Sequence, residues 1–200
     1  MNILITAFAP FQGEEINATM EALALLPDSV HGHTLCKRIL PVEFGKAVEA
    51  AVSLVEEVQP DAVVCLGQAS GRADITPERV AINVMDARIA DNGGWQPEDV
   101  PVREDGPAAY FSTLPVKAMV RAMKEAGVPA SLSNTAGTFV CNDLMYGLLD
   151  HLARTGQTIP AGFIHVPATP AQACDRPTPS MAPETVAKGL EAALKTLIMK

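Results

Sequence analysis

Three short stretches of the chain are apolar almost throughout: residues 2–8 (NILITAF), 61–67 (DAVVCLG) and 161–167 (AGFIHVP). A strand with one wet face alternates apolar and polar residues. A continuous apolar run needs cover on both faces, which a parallel sheet between helices provides. Between these runs apolar residues recur at helical spacing, in residues 43–59 (ending before Pro60), 114–127 (stopped by Gly127), 141–155 and 182–200. Residues 34–42, 79–84 and 130–134 read as further strands. Residues 87–107 are polar and rich in Gly and Pro, an irregular excursion with Trp95 at its tip. Strands alternating with helices predict an α/β fold. We expect a single-domain three-layer α/β/α sandwich with a mostly parallel, twisted central sheet, residues 1–200 forming one unit.

A net charge of -8 argues against a nucleic-acid partner, because an anionic surface repels phosphate. No apolar run approaches the ~18 residues of a membrane helix. The opening MNILITAFAPF has no basic stretch and no small-residue cleavage site, so no signal peptide and a cytoplasmic location are expected. Thiols stay reduced there. The four cysteines, Cys36, Cys65, Cys141 and Cys174, are widely spaced without a CxxC, which fits neither a disulfide framework nor a zinc ribbon. His31 and His33 form an HxH without further ligands, so no metal site is expected.

One cysteine differs from the rest by position. In SNTAGTFVCND, residues 133–143, Cys141 follows the expected strand 130–134 through a short loop and opens the next helix. His165 ends the following strand. A strand–helix–strand crossover puts both strand ends on one edge, where sites in open sheets gather. Cys141 and His165 can then meet as nucleophile and base. A helix start also favours thiolate. By contrast, Cys65 lies inside an apolar strand, Cys36 in another strand and Cys174 in a Pro-rich loop. An acid should orient the imidazole. Asp74 and Glu78 both lie on the segment leaving residues 61–67, and pattern alone does not choose between them.

Five blocks, GQASGRADITPERVAIN, DARIADNGGWQPEDVPV, DGPAAYFSTLPVKAM, PASLSNTAGTFVCNDLMYG and GFIHVPATPAQ, resemble the pyrrolidone-carboxylate peptidases, or pyroglutamyl peptidase I, a cysteine peptidase family. The resemblance covers nearly the whole chain. It implies removal of an N-terminal pyroglutamyl residue from peptides by a Glu, Cys, His triad, with no metal or cofactor. Glu78 of TPER, Cys141 of FVCN and His165 of FIH take those three places. It also implies a substrate pocket in which Phe8 and Phe11 flank the lactam, with Gln68, Phe139 and Val140. Arg88 of DARI is expected to help hold the oxyanion. A flat, uncharged lactam suits an apolar slot with a few polar readers. A homo-oligomer, a tetramer, is the assembly expected by the same resemblance.

The chain departs from the family pattern at five places. Ala7 and Gln12 replace glycines, Ser70 replaces another, Asp143 stands where CNHLMYG has His, and Ala168 replaces an aromatic. None belongs to the expected triad. The first of these, Ala7 with Gln12, and the last, Ala168, are the changes expected to reshape the pocket or its rim.

Overall fold

The computed structural model describes residues 1–197. In chain order its elements are β1 (Asn2–Phe8), α1 (Ala18–Leu25), β2 (Ser29–Val30), β3 (His33–Leu40), α2 (Lys46–Val58), β4 (Ala62–Gln68), β5 (Thr76–Pro77), β6 (Val80–Ile82), β7 (Ala109–Phe111), α3 (Val116–Glu125), α4 (Val140–Thr155), β8 (Ala161–Val166) and α5 (Pro183–Lys195). The expected last helix reached residue 200, and its final three residues lie outside the described ones.

Six strands form one sheet in the order β2-β3-β1-β4-β8-β5. β3, β1, β4 and β8 run parallel, while β2 and β5 are antiparallel edges. Period-two alternation divides the side chains between two apolar layers. Ile3, Ile5, Val64, Leu66 and Ile164 face α1, α3 and α5. Leu4, Phe8, Val63, Cys65 and Phe163 face α2 and α4. This is the mostly parallel α/β/α sandwich expected, and it explains why the three apolar runs show no polar alternation.

Several elements differ from expectation. Residues 130–134 are not a strand of the main sheet. The two-residue strand β5 intervenes beside β8, and the segment joins residues 75–78 only through the bridges Ile75↔Ala130 and Glu78↔Ser133. Residues 79–84 shorten to β6, which pairs with β7 in a separate two-stranded sheet. Helix α2 starts at Lys46 and not at residue 43, because the preceding turn holds Gly45 at φ 71. Helix α1 has no counterpart in the sequence reading. Its N-cap is Asn17, whose side chain accepts from the Thr19 N–H. The excursion 87–107 is irregular as expected, and Trp95 is 47% exposed.

Candidate active site

β8 and the residue that follows β5 bring two side chains to one face of the sheet, beside Gly67 of β4. Thr76 of β5 pairs with His165 of β8, and the Glu78 N–H donates to Phe163 O at 2.9 Å. Alternation therefore puts Glu78 on the same face as His165. Their side chains meet at 2.7 Å, His165 Nδ1 to Glu78 Oε1. An ionised carboxylate only accepts, so Nδ1 carries the hydrogen and Nε2 is left as the basic nitrogen.

Cys141 reaches this face from α4. Gly67 of β4 is the ladder partner of His165. A Cβ placed on Gly67 would meet Cys141 Sγ at 2.9 Å. Parallel partners project to the same side, so the sulfur lies beside the strand position next to His165. The two residues do converge, although β5 stands between β8 and the segment expected to be their shared strand neighbour.

Burial and neighbouring charges shift all three groups. Burial opposes charge on Glu78, but hydrogen bonding and charge from His165, with Ser133 and Arg72, hold its carboxyl below the ordinary range. Burial pushes His165 down, against the pull of Glu78. Burial, then the charge of Glu78, pushes the Cys141 thiol up to about 12. Its side chain is only partly covered, since it borders a cavity, and water access there moderates the size of the shift without reversing it. The thiolate expected from a helix start is therefore not the resting state. A neutral thiol is, because desolvation and a nearby carboxylate outweigh the helix terminus.

The cavity has a volume of about 610 Å³, and Phe8, Phe11, Gln68, Arg88, Phe139 and Cys141 line it. The Phe11 and Phe139 rings lie 5.3 Å apart. Arg88 is exposed and has no hydrogen bond or ion pair among the described residues. Its loop is tied to the one before Cys141: the Asp86 N–H donates to Thr138 O, and Thr138 Oγ1 donates to Asp86 O. Gln68 spends its amide on the protein, with Oε1 accepting from the Ala18 N–H and Nε2 donating to Ser70 Oγ. One N–H of Nε2 remains.

Val140 departs from expectation. Its side chain is 1% exposed and belongs to the core, not to the cavity. As the first residue of α4 it turns inward like Leu144 one turn later. What it offers the cavity side is backbone. The Asn142 and Asp143 N–H groups donate to Phe139 O, and among the described residues the Val140 and Cys141 N–H groups have no partner and stay available.

Two residues escaped the sequence reading. Arg72 Nη1 donates to Glu78 Oε1 and to Thr76 Oγ1, each at 2.6 Å. Asn142, fully buried, mimics a strand neighbour: Oδ1 accepts from the Ile82 N–H and Nδ2 donates to Ile82 O and Val84 O. Each had a signal in the sequence, since a buried acid calls for a cation and a polar residue beside an inward-facing Val calls for partners. Of the departures, Ala7 and Ala168 are buried, and Gln12 lines the cavity at φ 56, a left-handed conformation that suits glycine. Among the described residues, no three His, Cys, Asp or Glu gather as a metal-binding set, and no helix is long and apolar enough to cross a membrane.

The comparisons agree on one family. The sequence model of the family described as pyroglutamyl peptidase matches residues 1–200. A pyrrolidone-carboxylate peptidase of Clostridium perfringens (strain 13) is 52% identical over 200 residues, covering 100% of this chain and 94% of the relative. That of Thermococcus onnurineus is 54% identical over 196 residues, covering 98% of each. The crystal structure of pyroglutamyl peptidase I from Bacillus amyloliquefaciens superposes with a TM-score of 0.96 at 41% identity, over 100% of this chain and 97% of that one. A mutant pyrrolidone carboxyl peptidase from P. furiosus gives 0.95 at 39% identity, over 100% and 99%. By sequence and by structure alike, the chain belongs to the pyroglutamyl peptidase family, cysteine-type hydrolases that remove an N-terminal pyroglutamyl residue.

Proposed function

We propose that Cys141, His165 and Glu78 carry this reaction on N-terminally pyroglutamylated peptides. The observation behind the reading is the buried Glu78–His165 contact at 2.7 Å, beside the strand position that touches Cys141 Sγ. Cys141 borders the cavity, whereas Glu78 and His165 are buried behind it. Substrate thus meets the sulfur first, and the base works from the protein side.

The resting thiol is neutral, so deprotonation accompanies attack. His165 Nε2 takes the thiol proton as sulfur bonds to the scissile carbonyl carbon. The charge that develops on the carbonyl oxygen is met by the free N–H groups of Val140 and Cys141, with Arg88, which lines the same cavity. The imidazolium, stabilised by Glu78, then protonates the leaving amine as the C–N bond breaks. A thioester to the pyroglutamyl acyl group remains. Water, deprotonated by His165, attacks it, and the proton returns to the departing sulfur.

The ring is held in an apolar slot by Phe8, Phe11 and Phe139. A remaining N–H of Gln68 is placed to read a lactam oxygen. We read residues 1–200 as one domain, in line with the full-length family match. We also take the protein to be cytoplasmic and a homo-oligomer, a tetramer. Light scattering at micromolar concentration tests the assembly, and a monomer overturns it.

Turnover of pyroglutamyl-aminocoumarin tests the triad. Cys141→Ala abolishes it with the fold intact by circular dichroism, while Ser or Ala at Cys36, Cys65 and Cys174 leaves it. Glu78→Gln costs much rate, though less than loss of Cys141 or His165. Asp74→Asn does little. Substantial turnover by Cys141→Ala, or greater damage from Asp74→Asn than from Glu78→Gln, rejects the assignment.

A further inference from the structure

We propose that Arg72 is a positioning residue for the reaction: it holds the Glu78 carboxylate for His165 and ties it to the loop that leads into Cys141. The inference rests on the triad reading given above.

The geometry is specific. Glu78 is fully buried, and one of its oxygens, Oε1, carries both His165 Nδ1 at 2.7 Å and Arg72 Nη1 at 2.6 Å. The other oxygen, Oε2, has no hydrogen-bond partner among the described residues. A buried carboxylate is costly unless it is paired. Here it faces one permanent cation and one imidazole, which is neutral at rest. Without Arg72 no permanent charge would remain beside it, only the imidazole and the Ser133 hydroxyl.

Arg72 does more than supply charge. Nη1 also holds Thr76 Oγ1 at 2.6 Å, on the strand residue paired with His165. Nη2 donates to Thr135 O at 3.1 Å. Thr135 lies in the loop before Cys141, a loop pinned internally by Ser133 Oγ and by the Gly137 N–H on Thr135 Oγ1. One planar guanidinium therefore spans the acid, the strand residue opposite the base and the nucleophile's loop. A lysine ammonium keeps the charge but lacks the rigid fork that reaches all three.

The titratable groups facing Glu78 are Arg72 from the loop after β4, His165 from β8 and Cys141 from α4, with Cys65 of β4 beside Cys141. The positive charge of Arg72 favours ionised Glu78, neutral His165 and thiolate at Cys141. Removing it moves all three away from the reactive arrangement. Arg72 does not line the cavity, so substrate binding is not its task.

The experiment measures kcat and KM for pyroglutamyl-aminocoumarin across pH for Arg72→Met, Arg72→Lys, Glu78→Gln and the double variant Arg72→Met with Glu78→Gln. Arg72→Met is expected to lose about 10- to 100-fold in kcat, the worth of a hydrogen bond to a charged group, with KM unchanged. Its acid limb moves up by about one pH unit, since loss of an adjacent cation lifts both the carboxyl and the imidazole. Arg72→Lys restores the limb but only part of kcat. In the Glu78→Gln background Arg72→Met costs much less kcat and moves the limb less, because the carboxylate it holds is gone and only its direct effect on His165 remains. A merely structural staple would lower the amount of active protein without moving the limb, and its losses would multiply in the double variant. Either result overturns the proposal, as does full kcat in Arg72→Lys. If Arg72→Met fails to fold, Arg72→Lys alone decides by its kcat loss at constant KM. Full turnover by Glu78→Gln would instead reject the triad itself. Damage from Glu78→Gln with unaffected Arg72 variants rejects only the role of Arg72.

Discussion

Gly67 and Cys141 are packed so closely that a methyl group on Gly67 would stand 2.9 Å from Cys141 Sγ and 2.6 Å from the Phe163 ring. Real side chains do not tolerate such separations. Gly67→Ala must displace the sulfur, the ring or the strand. We expect a stability loss of about 1–3 kcal/mol, typical of overpacking, with a larger fractional loss of kcat as the sulfur leaves its place. Thermal unfolding and steady-state kinetics check it. Unchanged kcat would show that the sulfur position is not set by this strand.

The raised thiol of Cys141 makes a prediction about alkylation. Only thiolate reacts, and a group titrating at about 12 holds very little of it at pH 7. Inactivation by iodoacetamide should therefore quicken about tenfold per pH unit from pH 7 to 9 with no plateau, each unit raising the thiolate fraction tenfold. Loss of activity is the readout, because exposed Cys174 also alkylates. A plateau beginning near pH 6 would reveal a resting thiolate–imidazolium pair.

Asp143 shapes how stability varies with pH. Burial pushes its carboxyl up from 3.8 to about 6, and the Gly45 N–H at 2.8 Å opposes this only in part. The folded state thus binds a proton more readily than the unfolded one. The stability cost is absent below pH 3.8, grows as pH rises and is complete above pH 6. At about 1.4 kcal/mol per pH unit between the two values, it approaches 3 kcal/mol as an upper bound. Asp143→Asn keeps an acceptor for Gly45 and removes the charge. It should raise Tm more at pH 8 than at pH 5. An equal gain at both values would refute the titration argument.

Gln68 needs a variant subtler than alanine, because its Oε1 accepts from the first N–H of α1. Gln68→Glu keeps that acceptor and removes the donor facing the cavity. A site that reads a group by hydrogen bond discriminates strongly against analogues lacking it. The kcat/KM ratio of pyroglutamyl to prolyl aminocoumarin should fall at least tenfold with Tm preserved. An unchanged ratio would mean that Gln68 serves α1 alone and backbone groups read the lactam.

Residues 2–8 announced β1 to the residue, because a doubly covered strand has a composition no surface strand shares. The same logic located β4 and β8, and with them the sheet edge where His165 lies. α1 escaped notice because ATMEALAL is apolar nearly all the way round and offers no contrast between faces, although Asn17 was a legible cap. The start of α2 was misplaced for a tertiary reason. Phe44 and Gly45 donate their N–H groups to Asp91 and Asp143, distant acids that pull the turn out of helical form. At the site, the positions of Cys141 and His165 followed from element order. The choice of Glu78 over Asp74 did not, since it depends on β5, two residues long and paired with a strand far along the chain. Val140 was placed in the pocket by the family resemblance, and a helix turns consecutive residues about 100° apart, which sends its side chain into the core while Cys141 borders the cavity.

The edge-on rings beside the cavity give the molecule an optical property. Trp95 meets Phe44 edge-on with centroids 5.6 Å apart, and Phe44 meets Phe139 at 5.1 Å. Phe139 borders the cavity and immediately precedes α4. Trp95 is the only tryptophan in the chain. Its emission therefore comes from one place, two ring contacts away from a residue that lines the cavity, so a shift of Phe139 on ligand entry is transmitted to a single native fluorophore without any label.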